Sequence, residues 1–75
     1  MKNKNLKIIL NNEILNLNNI NITDNIESIK KKIYKLKGIN IKKQKLFFNN
    51  IELKDNIKIQ ELNIDFFDII LSTIF

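Results

Sequence analysis

The stretch TDNIESIKKKIYKLKG, residues 23–38, decides the fold of this chain because it reads as one complete amphipathic helix. Glu27 lies three residues after Asp24, as in a capping box with an aspartate cap, so the helix should begin at about Asn25. Gly38 is the only glycine in the chain and falls where a left-handed residue ends a helix. The segment therefore predicts a helix of about three turns with defined ends.

The helix has a single apolar face. Ile26, Ile29, Ile33 and Leu36 recur at three- and four-residue spacing. A partner-binding stripe would show the same pattern, but a small domain with one helix needs that helix to cover its sheet. We therefore expect this face to belong to the core.

The residues before the helix predict a β-hairpin. Leu6, Ile8 and Leu10 alternate with other residues, and so do Leu15 and Leu17, which is the pattern of half-buried strands. The intervening residues 11–12 are both asparagine, which tolerates a positive φ in tight turns.

The residues after the helix predict three further strands. Residues 45–48 and 51–53 read as short strands joined by a turn at residues 49–50, and residues 69–75 read as a last strand. Residues 59–64 supply apolar anchors across a loop-like segment with room for one helical turn. This order of elements predicts an α+β roll with one helix across one sheet face.

Composition excludes several classes of function. The chain has 75 residues, so we expect one domain over residues 1–75, and it has no cysteine and no histidine. Disulfides, thiol nucleophiles and imidazole chemistry are thereby excluded, and no stretch reaches the roughly 18 apolar residues of a membrane span. We expect an intracellular protein of the cytoplasm, the nucleus or both, without contact to a membrane.

The net charge of +5 raises the alternative of nucleic-acid binding. A lysine strip on and after the helix would face phosphates: Lys31, Lys32, Lys35, Lys37, Lys42 and Lys43. Specific nucleic-acid sites favour arginine forks or stacked aromatic residues, which no segment displays, so this alternative ranks below a protein-binding function.

A resemblance to the ubiquitin family runs through the chain, most clearly and without a gap from Asn25 to Ile64. The segment IESIKKKI at residues 26–33 resembles the single helix of ubiquitin, and Gly38-Ile39 resembles the Gly-Ile that ends it. The segment QKLFF at residues 44–48 looks like its Gln-Arg-Leu-Ile-Phe strand. Towards the N-terminus the first hairpin is similar but one residue shorter, with an extra asparagine near residues 18–19.

The resemblance implies a ubiquitin-like β-grasp roll with a mixed sheet of four to five strands. It also implies no enzymatic activity, no cofactor and no metal. The expected partners are proteins that bind a monomeric domain: ubiquitin-binding helices, and receptors of the proteasome or of shuttle factors.

By resemblance, the partner-binding patch centres on Phe47. The other positions that match it, or lie beside it, are Lys45, Asn50, Ile51, Leu71 and Thr73. The alternation along the strand gives independent support, because Phe47 points outward if Leu46 and Phe48 point into the core. A phenylalanine exposed to water is unfavourable unless a partner covers it. Phe66 and Phe67 form a possible second patch.

Two further expectations come from the resemblance. Lys30 stands beside the buried stripe, and its match in the family packs against an acidic residue that corresponds to Asp55, so we expect a structural ion pair between the two. Ubiquitin ends in a tail with Gly-Gly, whereas this sequence stops at Ile74-Phe75, so we do not expect conjugation through that chemistry.

Two functions of the family stay open at this stage. The first is a domain that docks to receptors without a covalent bond. The alternative is a protein modifier whose Gly-Gly tail is not part of this sequence. No set of nucleophile, base and metal ligand converges in the sequence, so an enzyme is not expected.

Overall fold

The computed structural model describes residues 3–10 and 13–62, and the backbone of residues 68–74. Within these residues, five strands and one helix are formed: β1 Asn3–Leu10, β2 Glu13–Asn21, α1 Ile26–Lys37, β3 Lys45–Phe48, β4 Ile51–Glu52 and β5 Asp68–Ile74. Short 3₁₀ turns lie at Ile41–Lys43 and Ile59–Leu62. The predicted turn at residues 11–12 lies outside the described residues.

The strands form one mixed sheet in the order β2-β1-β5-β3-β4. β1 and β5 are parallel, and the other neighbours are antiparallel. Helix α1 contributes three fully buried isoleucines to a core that includes Leu6, Ile8 and Leu46 of the sheet. The α+β roll of the β-grasp type, with one helix packed on a mixed sheet, is confirmed.

The apolar face of α1 is shorter than predicted. Ile26, Ile29 and Ile33 are fully buried, but Leu36 is 57% exposed. Lys30 is instead 7% exposed, because it follows Ile29 on the buried side of the helix. The prediction that Leu36 belongs to the core was therefore wrong, since the last helical turn lies beside an open groove along the edge strand β2.

Both ends of α1 are capped, although the N-cap differs from the predicted one. Asn25, rather than Asp24, is the N-cap, and its side-chain oxygen accepts a hydrogen bond from the Ser28 amide at 3.0 Å. Gly38 ends the helix at φ 73°, and its amide donates to the Tyr34 carbonyl at 2.7 Å, which confirms its predicted role.

The loop after β4 docks on the N-terminus of α1. The amides of Ile26 and Glu27 donate to the carbonyls of Ile57 and Asp55, at 2.9 and 3.1 Å. The first amides of a helix have no partner within the helix, so these bonds and the Asn25 cap satisfy them. This docking fixes Asp55 one helical turn from Lys30.

A β-bulge interrupts the first hairpin where the resemblance indicates an extra asparagine. Leu6 pairs with Leu17 and Lys4 with Ile20, so two residues of β2 lie opposite Asn5 alone. Asn19 has φ 59° there, and its amide donates to Asn5 Oδ1 at 3.1 Å. Asparagine suits this position because it tolerates the left-handed region better than most other residues.

We expect Asn19→Val to lower the free energy of unfolding by about 1–2 kcal/mol, because a β-branched residue is disfavoured at positive φ. Asn19→Gly should retain the stability. The control is Asn18→Val, whose exposed site has no positive φ and lies in a strand. Urea denaturation measures all three variants, and equal losses in the two valine variants would contradict the assignment of the strain to Asn19.

Candidate protein-binding surface

The hairpin of β3 and β4 positions Phe47 on the sheet face opposite α1. Leu46 is fully buried, so alternation along β3 places Lys45 and Phe47 on the other face, the outer face of the sheet. Asn49 and Asn50 have φ of 53° and 66°, as a two-residue hairpin turn with right-handed strand twist requires. Phe47 is half-buried, whereas Lys45 and Asn50 are exposed.

Strand pairing divides the predicted patch between two faces. Phe47 pairs with Glu52, whereas Phe48 pairs with Ile51. Directly paired residues lie on the same face of a sheet, so Ile51, although 66% exposed, lies on the opposite face from Phe47. The predicted patch therefore does not form one continuous surface around Ile51 and Phe47.

The register of β5 differs by one residue from the predicted one. Ser72 pairs with Phe47, whereas Thr73 pairs with the buried Leu46. Leu71 pairs with the buried Ile8 of β1. By register, Leu71 and Thr73 thus occupy core-face positions, and Ser72 and Ile74 occupy the positions beside Phe47 and Lys45.

The sequence leaves this register ambiguous for a physical reason. Residues 69–74 read Ile-Ile-Leu-Ser-Thr-Ile, so apolar residues stand at both odd and even positions. Such a strand has no clear amphipathic alternation, and a shift of one residue exchanges the two faces. Pairing with β1 and β3 decides the register, because the sequence of β5 alone is compatible with either one.

The structure adds two apolar residues that the sequence analysis missed. Ile9 is half-buried, pairs with Ile14 of β2, and pairs by register with Ser72 of β5. Ile14 is 60% exposed. A row of paired residues therefore crosses the outer face: Ile14, Ile9, Ser72, Phe47 and Glu52.

We call this set the outer-face row. Strands lie about 4.8 Å apart, so the span from Ile14 to Phe47 is about 14 Å, wide enough to accept a helix of about 10 Å diameter. The signal for Ile9 was present in the sequence, since the buried alternation of Leu6, Ile8 and Leu10 leaves Ile9 pointing outward.

Lys30 and Asp55 form a hydrogen-bonded ion pair. Lys30 Nζ lies 2.7 Å from Asp55 Oδ1, with side-chain exposures of 9% and 56%. The lysine stem is buried beside the core, while the carboxylate partner meets solvent. The pair joins the middle of α1 to the loop that caps its N-terminus, and this role is structural.

Gln44 reinforces the same region from inside. Its side chain is buried, and Nε2 donates to the carbonyls of Lys30 and Ile39 at 3.0 and 2.9 Å. These two bonds tie α1 to the segment that follows it. Within the described residues, Gln44 Oε1 is a buried oxygen without a hydrogen-bond donor.

Two predicted sites remain, which are the second patch and the lysine strip. Phe66 and Phe67 lie outside the described residues. The predicted lysine strip is exposed, and Lys37 Nζ in it lies 2.7 Å from Glu13 Oε2. Nucleic-acid binding by this strip stays a prediction.

Neither a cluster of metal ligands nor a membrane-spanning helix is found in the part of the chain that the structure describes. No group of three or more acidic residues there is placed to hold a metal ion. None of the described helices is long and apolar enough to cross a membrane.

Comparison with known proteins gives one finding. The chain matches the model of a family described as the ubiquitin family over residues 4–73. No match to a curated protein is found.

We expect Asp55→Ala to lower the free energy of unfolding by about 1–2 kcal/mol, because it leaves the buried ammonium of Lys30 without its partner. The control is Glu13→Ala, which removes an ion pair of the same length between side chains that are 31% and 58% exposed. Exposed pairs contribute about 0.2–1 kcal/mol, so the control should lose less. Thermal or urea unfolding measures the loss of unfolding free energy in both variants. A larger loss in Glu13→Ala than in Asp55→Ala would contradict the structural role of the Lys30–Asp55 pair.

Proposed function

We propose, on the premise that this chain belongs to the ubiquitin family, that it is a protein-interaction domain that docks without a covalent bond. The proposed partners are receptors of the ubiquitin and proteasome system. The observation that carries the proposal is the outer-face row, in which Phe47 and Ile9 are half-buried and Ile14 is exposed. The family is generally non-enzymatic, which agrees with a function in binding.

The chemistry of the row favours an amphipathic helix as the ligand. The paired strands present apolar side chains at Phe47, Ile9 and Ile14, which a helix can cover with residues at three- and four-residue spacing. Lys45 lies two residues before Phe47 on the same face and is exposed. An acidic residue at the edge of the receptor helix would therefore complement the surface.

Several wider expectations belong to this proposal. We place the domain in the cytoplasm, the nucleus or both, where ubiquitin-binding helices and the receptors of the proteasome or of shuttle factors reside. The domain is expected to act as a monomer over residues 1–75, with a protein partner and without a cofactor.

A protein modifier is the second candidate, and the family match over residues 4–73 supports it equally. A modifier needs an exposed C-terminal glycine for activation. Determining the encoded sequence after Phe75 separates the two candidates, because a Gly-Gly tail there would favour the modifier.

We expect Phe47→Ala to weaken binding of a ubiquitin-binding helix by about tenfold or more, because a central apolar anchor is lost. NMR titration of the labelled domain gives the affinity and the amides that shift. In the unchanged domain, the shifts should cluster at Ile9, Ile14, Lys45 and Phe47.

The matched control is Ile51→Ala, because Ile51 is an exposed apolar residue of the same hairpin on the opposite face. This variant should bind as the unchanged domain does. Loss of binding in both variants, or shifts confined to residues away from the outer-face row, would contradict the proposed surface.

A further inference from the structure

The first observation is a basic pocket at the open end of the β3–β4 hairpin. It encloses about 420 Å³ between the 3₁₀ turn at Ile41–Lys43, the start of β3 and the residues that follow β4. Small-molecule sites have volumes of about 300–1,000 Å³. Three exposed lysines line the pocket: Lys42, Lys45 and Lys54. None of these three has a carboxylate partner among the residues that the structure describes.

The second observation is that strand pairing brings two of these lysines together. The Leu53 amide donates to the Leu46 carbonyl at 2.8 Å, which extends the antiparallel register of β3 and β4 by one residue. Continued once more, this register places Lys54 opposite Lys45. Like charges directly opposite each other on two strands are destabilising. An anion bound between the two ammonium groups would therefore relieve their repulsion.

The third observation concerns the buried part of the lining. Lys30 and Gln44 both line the pocket and are 7% and 2% exposed. Lys30 is neutralised by Asp55, at 2.7 Å. Gln44 Oε1 is a buried acceptor without a donor among the described residues. A hydroxyl group of a ligand would supply the donor that this oxygen lacks.

The charges of the lining select among anions. The Lys30–Asp55 pair cancels, so the three exposed lysines and Glu52 leave a net charge of +2. A phosphate monoester carries about −1.5 to −2 charges at neutral pH and therefore complements this lining. The Glu52 carboxylate repels phosphate, but it accepts hydrogen bonds from hydroxyl groups. The lining thus favours a ligand with both phosphate and hydroxyl groups over a simple phosphate.

We propose that this pocket binds a phosphorylated polyol of the inositol phosphate type. Its phosphate groups contact the three exposed lysines, and its hydroxyl groups donate to Glu52 and to Gln44 Oε1. A soluble inositol phosphate and the headgroup of a phosphoinositide lipid share this chemistry. The site goes beyond the proposed binding of a receptor helix, although it shares Glu52 with the outer-face row.

The test is isothermal titration calorimetry of the full chain with inositol trisphosphate at physiological ionic strength. We expect saturable binding to one site. Tripolyphosphate has three phosphate groups but no polyol hydroxyl groups, and it should bind at least about tenfold more weakly. Inositol without phosphate should show no measurable binding. In an NMR titration, inositol trisphosphate should shift the amides of Lys42, Gln44, Lys45 and Lys54.

Matched variants separate the pocket from general charge. Lys42→Glu/Lys54→Glu should weaken binding of inositol trisphosphate by about tenfold or more, because two contacts to phosphate become repulsive. The control is Lys43→Glu/Lys58→Glu, which changes the net charge equally at two exposed lysines that do not line the pocket. The control should change the Kd by less than about threefold, because salt screens exposed charges outside the site.

The variant Glu52→Gln tests the selection for hydroxyl groups. It removes the carboxylate that repels phosphate, so the affinity for tripolyphosphate should rise towards that for inositol trisphosphate. An unchanged ratio of the two affinities would contradict the role assigned to Glu52 in the pocket.

Vesicles separate the two sources of the ligand. Stronger binding to vesicles with phosphatidylinositol bisphosphate than to phosphatidylserine vesicles of equal charge would assign the lipid headgroup. Equal binding to both, together with binding of inositol trisphosphate, would assign the soluble ligand. Either result supports the pocket as a site for a phosphorylated polyol.

Three results would overturn the proposal. These are the absence of binding of inositol trisphosphate, equal affinities for it and for tripolyphosphate in the unchanged domain, and equal weakening by the pocket variant and its control. Phe47→Ala should retain the affinity for inositol trisphosphate, so failure of the pocket and failure of the outer-face row are distinguishable. The substituted lysines and Glu52 are exposed, so their variants should stay folded, which circular dichroism checks.

Discussion

The packing of one helix face on one sheet face is the constraint on which the rest of the structure depends. Ile26, Ile29 and Ile33 are completely withdrawn from solvent against β1 and β3, and no other helix of comparable length is formed in the described chain. Burial of apolar surface is the dominant favourable term in folding, and a small domain has little of it in reserve. The helix is therefore committed to the core, and the proposed partner binding falls to the outer face of the sheet.

The loop after β4 explains how a short helix is held in one orientation. Backbone carbonyls of Asp55 and Ile57 accept the first helical amides, and the Asp55 carboxylate accepts a bond from Lys30 one turn later. Gln44 donates to the Lys30 carbonyl from the other side. The same residues thus satisfy the helix terminus and a buried lysine, so their polar groups fix the position of the helix while apolar burial supplies most of the stability.

The proposed binding surface follows from the way in which a sheet covered on one side meets its surroundings. The outer-face row uses side chains that alternation turns away from the core, and a helix can cover it. Helix α1 covers the other face, so Phe47, Ile9 and Ile14 are left for the proposed helical partner.

The sequence by itself determined the helix, its glycine end, the strand at residues 45–48 and the α+β class. These features rest on local periodicity and turn chemistry. It did not determine the choice of Asn25 as the cap, the exposure of Leu36, or the neighbours of Phe47. Those depend on where the loop docks, how the last helical turn lies beside the edge strand β2, and which residue of β5 lies opposite β3. Apolar residues stand at both odd and even positions of residues 69–74, so the sequence is compatible with two registers. Only pairing with β1 and β3 decided the register, and with it the residues on the outer face.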